Sequence, residues 1–82
     1  MRVKSITIEG VQTNVVLTRV GIHLVSVEYT DPGTGWKEMF SVHQNELDVA
    51  VYHRIAPLVY GTRSFTNSMS RDMADLISRL FW

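Results

Sequence analysis

The chain contains no cysteine, which removes disulfides and thiolate metal sites together. A small secreted scaffold stapled by bridges is therefore excluded, and a reducing compartment, the cytoplasm, is the expected location. Net charge is also missing: eight lysines and arginines offset eight aspartates and glutamates. A wholesale DNA mimic needs an acidic excess and a nonspecific duplex binder a basic one, so neither describes the chain as a whole. No apolar run approaches the roughly 20 residues of a membrane span. The opening Met1-Arg2-Val3-Lys4-Ser5 lacks the apolar core and cleavage site of a signal peptide, so no membrane partner is expected. Two prolines and five glycines interrupt 82 residues, with no Gly/Ser linker, internal repeat, heptad or low-complexity stretch. One domain covering residues 1–82 is the expectation.

What is present is ordinary globular material, 45% apolar and 20% charged. A chain of this size buries only about 60% of the surface its unfolded form exposes, for an expected stability of roughly 4–12 kcal/mol. An enclosed pocket would consume too much of so small a core, which places any site on the surface or at a subunit interface.

The first half reads as strands. Lys4, Ile6 and Ile8 alternate with Ser5, Thr7 and Glu9 before Gly10, and Gln12, Thr13 and Asn14 supply a turn. A β-branched run from Val15 to Val20 ends at Gly21. A third run sets His23, Val25, Val27 and Tyr29 on one face and Leu24, Ser26 and Glu28 on the other. Asp31-Pro32-Gly33-Thr34-Gly35 combines a fixed proline φ with two permissive glycines, as in a hairpin loop of about five residues. Trp36, Glu38, Phe40 and Val42 then share a face.

In the second half the period changes. Asn45 is placed to cap a helix starting at Glu46, with Asp48 in the capping-box position. Leu47, Ala50, Val51, Arg54, Ile55 and Leu58 fall on one side of it. Pro57 predicts that this helix ends near Ile55; the competing reading makes Val49–Tyr52 a strand. Leu58–Phe65 reads as a fifth strand or an ordered loop, and Thr66-Asn67-Ser68 as the approach to a helix cap. A last helix carries the stripe Met69, Met73, Leu76, Ile77 and Leu80, with Asp75 and Arg79 spaced for an ion pair. The expected fold class is α+β: a small antiparallel β-meander of about four strands followed by two helices packed on one face.

No arrangement of residues calls for catalysis, and none calls for a cofactor. His23, His43 and His53 show no HxxxH or i,i+4 spacing for a metal, although strand pairing could bring His23 near His43. Glu28 and Glu38 flank the hairpin loop and could approach across it, but like charges directly opposite destabilise a sheet, which favours pairing of Glu28 with Lys37 or Arg19 instead. There is no GxSxG elbow, and Gly33-Thr34-Gly35 without a following lysine and helix is a turn and not a phosphate cradle. A non-catalytic binding role is expected.

For binding, the informative stretch is Val49–Arg71, which contains no acid between Asp48 and Asp72 but holds His53, Arg54, Arg63 and Arg71 interleaved with Tyr52, Tyr60 and Phe65. Arginine and tyrosine are the side chains that most often dominate interfaces. The leading expectation is a surface of Arg54, Arg63, Tyr52, Tyr60 and His53 that masks an acidic or nucleic-acid-handling site on a larger protein complex. Arg54 has Glu46 and Asp48 as alternative partners on its own helix. A second reading makes Trp36 and Tyr29 stacking platforms for single-stranded nucleic acid; a third makes Trp82 and the Met69–Met73 stripe a homodimer face. Small cysteine-free scaffolds of this profile are common among phage and mobile-element accessory proteins that inhibit host machines, anti-CRISPR proteins included. That is an analogy of class and not of residues.

Overall fold

In the computed structural model, residues 4–61 and 64–82 are described. The alternating runs of the first half become four strands: β1 (Ser5–Ile8), β2 (Val15–Arg19), β3 (Leu24–Thr30) and β4 (Lys37–His43). They lie in sequence order, each antiparallel to the next. Because side chains alternate across a strand, the register stacks Ile6, Leu17, Val27 and Phe40 in one row across all four strands on the inner face. Val25 and Val42 are paired beside it. The outer face carries the complementary row Ser5, Thr18, Ser26 and Ser41, in which the Ser5 and Thr18 hydroxyls meet at 3.2 Å. One face is thus built for a core and the other for water.

The β3–β4 loop follows its composition. Asp31 Oδ1 accepts from the Gly33 amide at 2.7 Å and the Thr34 amide at 3.3 Å, and the Asp31 amide donates to the Trp36 carbonyl at 2.8 Å. Gly35 closes the loop at φ 76°, a conformation side chains with a Cβ rarely adopt.

After β4 a short 3-10 turn, Gln44–Glu46, leads into α1 (Leu47–Ala50). His43, and not Asn45, occupies the capping position, with its Nδ1 2.7 Å from Asn45 Oδ1. The helix does not stop near Ile55, and Val49–Tyr52 is not a strand. Residues Val51–Ile55 form a π turn, closed by the Ala56 amide donating to the Val51 carbonyl five residues back, and α2 (Ala56–Tyr60) continues through Pro57. Proline is costly inside a helix because it lacks an N–H and crowds the carbonyl four residues earlier. The π turn interrupts the α pattern directly before Pro57, which stands in the first turn of α2, where a missing N–H is tolerated. Leu58–Tyr60 is accordingly helical, and not part of a fifth strand.

The second helix, α3 (Asn67–Ser78), is capped by Thr66, whose Oγ1 accepts from the Met69 amide at 3.2 Å, and passes into a 3-10 turn at Arg79–Phe81. Both helices cover the inner face of the sheet. The core joins Val15, Leu17, Val25, Val27 and Val42 to Leu47, Val51, Ile55, Ala56 and Val59 of the first helix and Met73, Ala74, Ile77 and Leu80 of the second. Apart from the two alanines, each of these side chains contributes about 1.5–3 kcal/mol by leaving water. The expected stripe of α3 is rotated: Ser70 and Ala74 are buried, whereas Leu76 is 43% exposed. Small side chains at Ser70 and Ala74 let α3 approach the first helix closely.

Candidate functional site

Tyr52 lies on the side of the first helix turned away from the sheet, 42% exposed. Its ring is fixed by two edge contacts, to His53 at 5.0 Å and Phe65 at 5.5 Å between centroids. Beside it, α1 and α3 enclose an open cleft of about 410 Å³ lined by Asp48, Tyr52, Asn67, Ser70, Arg71, Ala74 and Asp75. Two carboxylates therefore share the surroundings of Arg71, so the charge asymmetry of the Val49–Arg71 stretch is partly cancelled once the chain is folded. A cleft of this kind, with one rigid aromatic and groups of both signs, suits a polar side chain of a partner protein better than a polyanion.

Arg54 does not pair with Glu46 or Asp48. Its guanidinium carbon lies over the Phe40 ring, 3.6 Å from the centroid, a cation–π contact typical of arginine that leaves N–H donors available. The sequence held the sign of this: Arg54 occupies a position within the apolar stripe of the first helix, so its stem must cross the sheet face. Among the described residues one ion pair forms, Lys37 with Glu28 at 3.2 Å. Glu28 lies opposite Met39 and Glu38 opposite Tyr29, on different faces, so the two carboxylates do not converge across the hairpin.

Tyr60 is half-buried against the core and 6.1 Å from Phe65. It supports Phe65, and through it Tyr52, rather than projecting. Arg63 lies outside the described residues. Tyr29 and Trp36 do not form one platform: Tyr29 and Phe40 form a T-shaped pair with centroids 6.2 Å apart, and Trp36 stands at the hairpin tip, 73% exposed. His23 and His43 do meet, with ring centroids 6.0 Å apart. The Nδ1 atoms are engaged by neighbouring amides, His23 with Gln44 Oε1 at 2.9 Å and His43 with Asn45 Oδ1 at 2.7 Å. Among the described residues no group of three His, Asp or Glu side chains could hold a metal ion.

Trp82 is 77% exposed, and its carbonyl oxygen accepts from Lys4 Nζ and from Arg19 Nη1, the latter at 3.4 Å. Met73, expected on a homodimer face, is 4% exposed and belongs to the core of its own chain. One feature had no counterpart in the sequence reading: a groove of about 330 Å³ between the edge strand β4 and α1, floored by Val42, Val49 and Ala50 with Glu46 toward one end and His53 and Arg54 toward the other. Val49 is 64% exposed there; its signal was an apolar residue outside the helical stripe.

No helix among the described residues is long and apolar enough to cross a membrane. Compared with protein-family models, curated proteins and solved structures, the chain matches none.

Proposed function

We propose that this chain is a non-catalytic binding protein that docks a larger protein complex through Tyr52 and the adjoining cleft and acts stoichiometrically, by masking the site it covers. The observation that carries the reading is the Tyr52 ring itself, held rigid by His53 and Phe65 yet 42% exposed beside a cleft containing Arg71. A large ring already ordered in the free protein loses little side-chain entropy on binding, the property that makes tyrosine a frequent interface anchor. Inhibition by occlusion needs nothing more from so small a surface.

The test is a pull-down from lysate with an N-terminal tag, with and without nuclease, run in parallel for the native chain, Tyr52→Phe and Tyr52→Ala. A nuclease-resistant partner retained by Tyr52→Phe and lost with Tyr52→Ala, at unchanged circular dichroism, supports the reading. Equal recovery by folded Tyr52→Ala removes the site. Trp36 carries the second reading, single-stranded nucleic-acid binding, because it is the most exposed ring of the hairpin. That reading requires affinity for an oligonucleotide that falls steeply with salt and on Trp36→Ala.

A further inference from the structure

β4 is an outer strand of the sheet, and its free edge can be read from the ladder. The Asp31 amide bonds the Trp36 carbonyl and the Gln44 amide bonds the His23 carbonyl. Antiparallel pairs alternate between bonded and non-bonded. Tyr29–Glu38, Val27–Phe40 and Val25–Val42 are therefore the bonded pairs in between. The amides and carbonyls of Lys37, Met39 and Ser41 point the other way, outward from the sheet, and nothing among the described residues pairs with them. Apolar surface accompanies this edge on both faces, Met39 at 70% exposure on the outer face and Val49 at 64% beside the groove. Natural edges are usually blunted, often by an inward-pointing charge. Here Glu38 is that charge, on the inner face two residues from Phe40. It repels any incoming strand except one that sets a cation opposite it.

We propose that the occupant of this edge is a second copy of the chain, joined β4 to β4 about a two-fold axis perpendicular to the sheet. Three registers place Glu38 or Phe40 opposite another residue of that pair. With Glu38 opposite Glu38 two carboxylates collide. With Phe40 opposite Phe40 the two Arg54 guanidinium groups converge. With Met39 opposite Met39, Glu38 faces the partner's Phe40, over which the partner's Arg54 lies with N–H donors free. Symmetry makes that contact twice. Lys37 then faces Ser41 of the partner subunit, about six backbone hydrogen bonds close the seam, and Met39 and Val49 leave water. Only this register satisfies the charges on both sides. The product is a continuous eight-stranded sheet with all helices on one side. Tyr52 and its cleft lie on the far side of α1 from the seam, so each dimer offers two copies of the surface assigned above.

Sedimentation velocity across a concentration series, with urea unfolding of each variant as a control for folding, tests the proposal. The native chain is expected to show a monomer–dimer equilibrium. Glu38→Arg and Arg54→Glu should each weaken it at least about a hundredfold, since each sets like charges opposite at two places. The double variant should recover to within about tenfold of the native value. Ser41→Pro removes an outward amide at an edge position where proline is tolerated, and should give a folded monomer. Because the chain has no cysteine, Met39→Cys should cross-link to itself across the axis with a short bis-maleimide, and Ser41→Cys should not. A native chain that stays monomeric throughout overturns the proposal. So does a dimer indifferent to Ser41→Pro, a folded double variant that does not recover, or cross-linking at Ser41→Cys alone.

Discussion

Replacing Gly10 by alanine adds one methyl group at the point where the β1–β2 connection crosses the end of the first helix. A Cβ there would overlap the Thr13 carbonyl oxygen outright and meet Val59 Cα at 3.0 Å and the Leu58 carbonyl oxygen at 3.1 Å. All three obstacles are backbone atoms, so no side chain can rotate away. The connection must lift from α2, and with it goes the Val11 amide bond to the Val59 carbonyl, 2.8 Å in the native chain. Overpacking costs about 1–3 kcal/mol and a lost hydrogen bond about 0.5–1.5 kcal/mol. The expected loss is therefore about 2–4 kcal/mol, against a total of roughly 4–12 kcal/mol for a chain of this length. In thermal unfolding that is a drop of roughly 10–25 °C. Gly21→Ala is the matched control, since its Cβ would meet Leu24 Cβ at an ordinary 3.5 Å. Urea unfolding of the two variants side by side decides the matter: coincident midpoints would refute the close approach of the β1–β2 connection to α2.

Two further substitutions probe the helices. Ile55→Ala empties a fully buried position at the end of the π turn; it should cost about 2–5 kcal/mol and Ile55→Val about 0.5–1.5 kcal/mol, measured by urea midpoints, and near-equality of the two would mean that the site collapses. Thr66→Ala removes the acceptor for the Met69 amide and should cost about 1 kcal/mol, with faster amide exchange confined to the first turn of α3.

The strands were legible because their signals are local. Alternation in Val25–Tyr29 and the turn chemistry of Asp31–Gly35 gave the faces and the hairpin directly. The first helix was legible in type and wrong in extent. Proline breaks the α ladder, and nothing in the sequence announced the wider turn that admits it. In α3 the large Met69 and Leu76 outweighed Ser70 and Ala74 in any hydrophobicity count, yet the small side chains are the ones that allow close packing. The candidate site shows the same limit. Tyr52 and His53 could be named from composition, but whether Arg54 met an acid or a ring depended on β4 lying beneath it. Glu38 and Val49 became informative only once the edge of the sheet was known.

The π turn has a consequence for how the first helix addresses the sheet. Leu47, Val51, Ile55 and Val59 recur every four residues and are all buried. In a regular α-helix of about 3.6 residues per turn, each such step advances by about 40°, so three steps would carry Val59 about 120° around the axis from Leu47. The wide turn at Val51–Ile55 lets the phase fall back midway. A strict four-residue repeat can then stay on one line. The helix behaves as two rods joined by a phase correction, and a single-residue deletion inside residues 51–55 would leave a smoother helix in which Leu47 and Val59 stand within about 20° of three full turns of each other, so that its halves still face the same core.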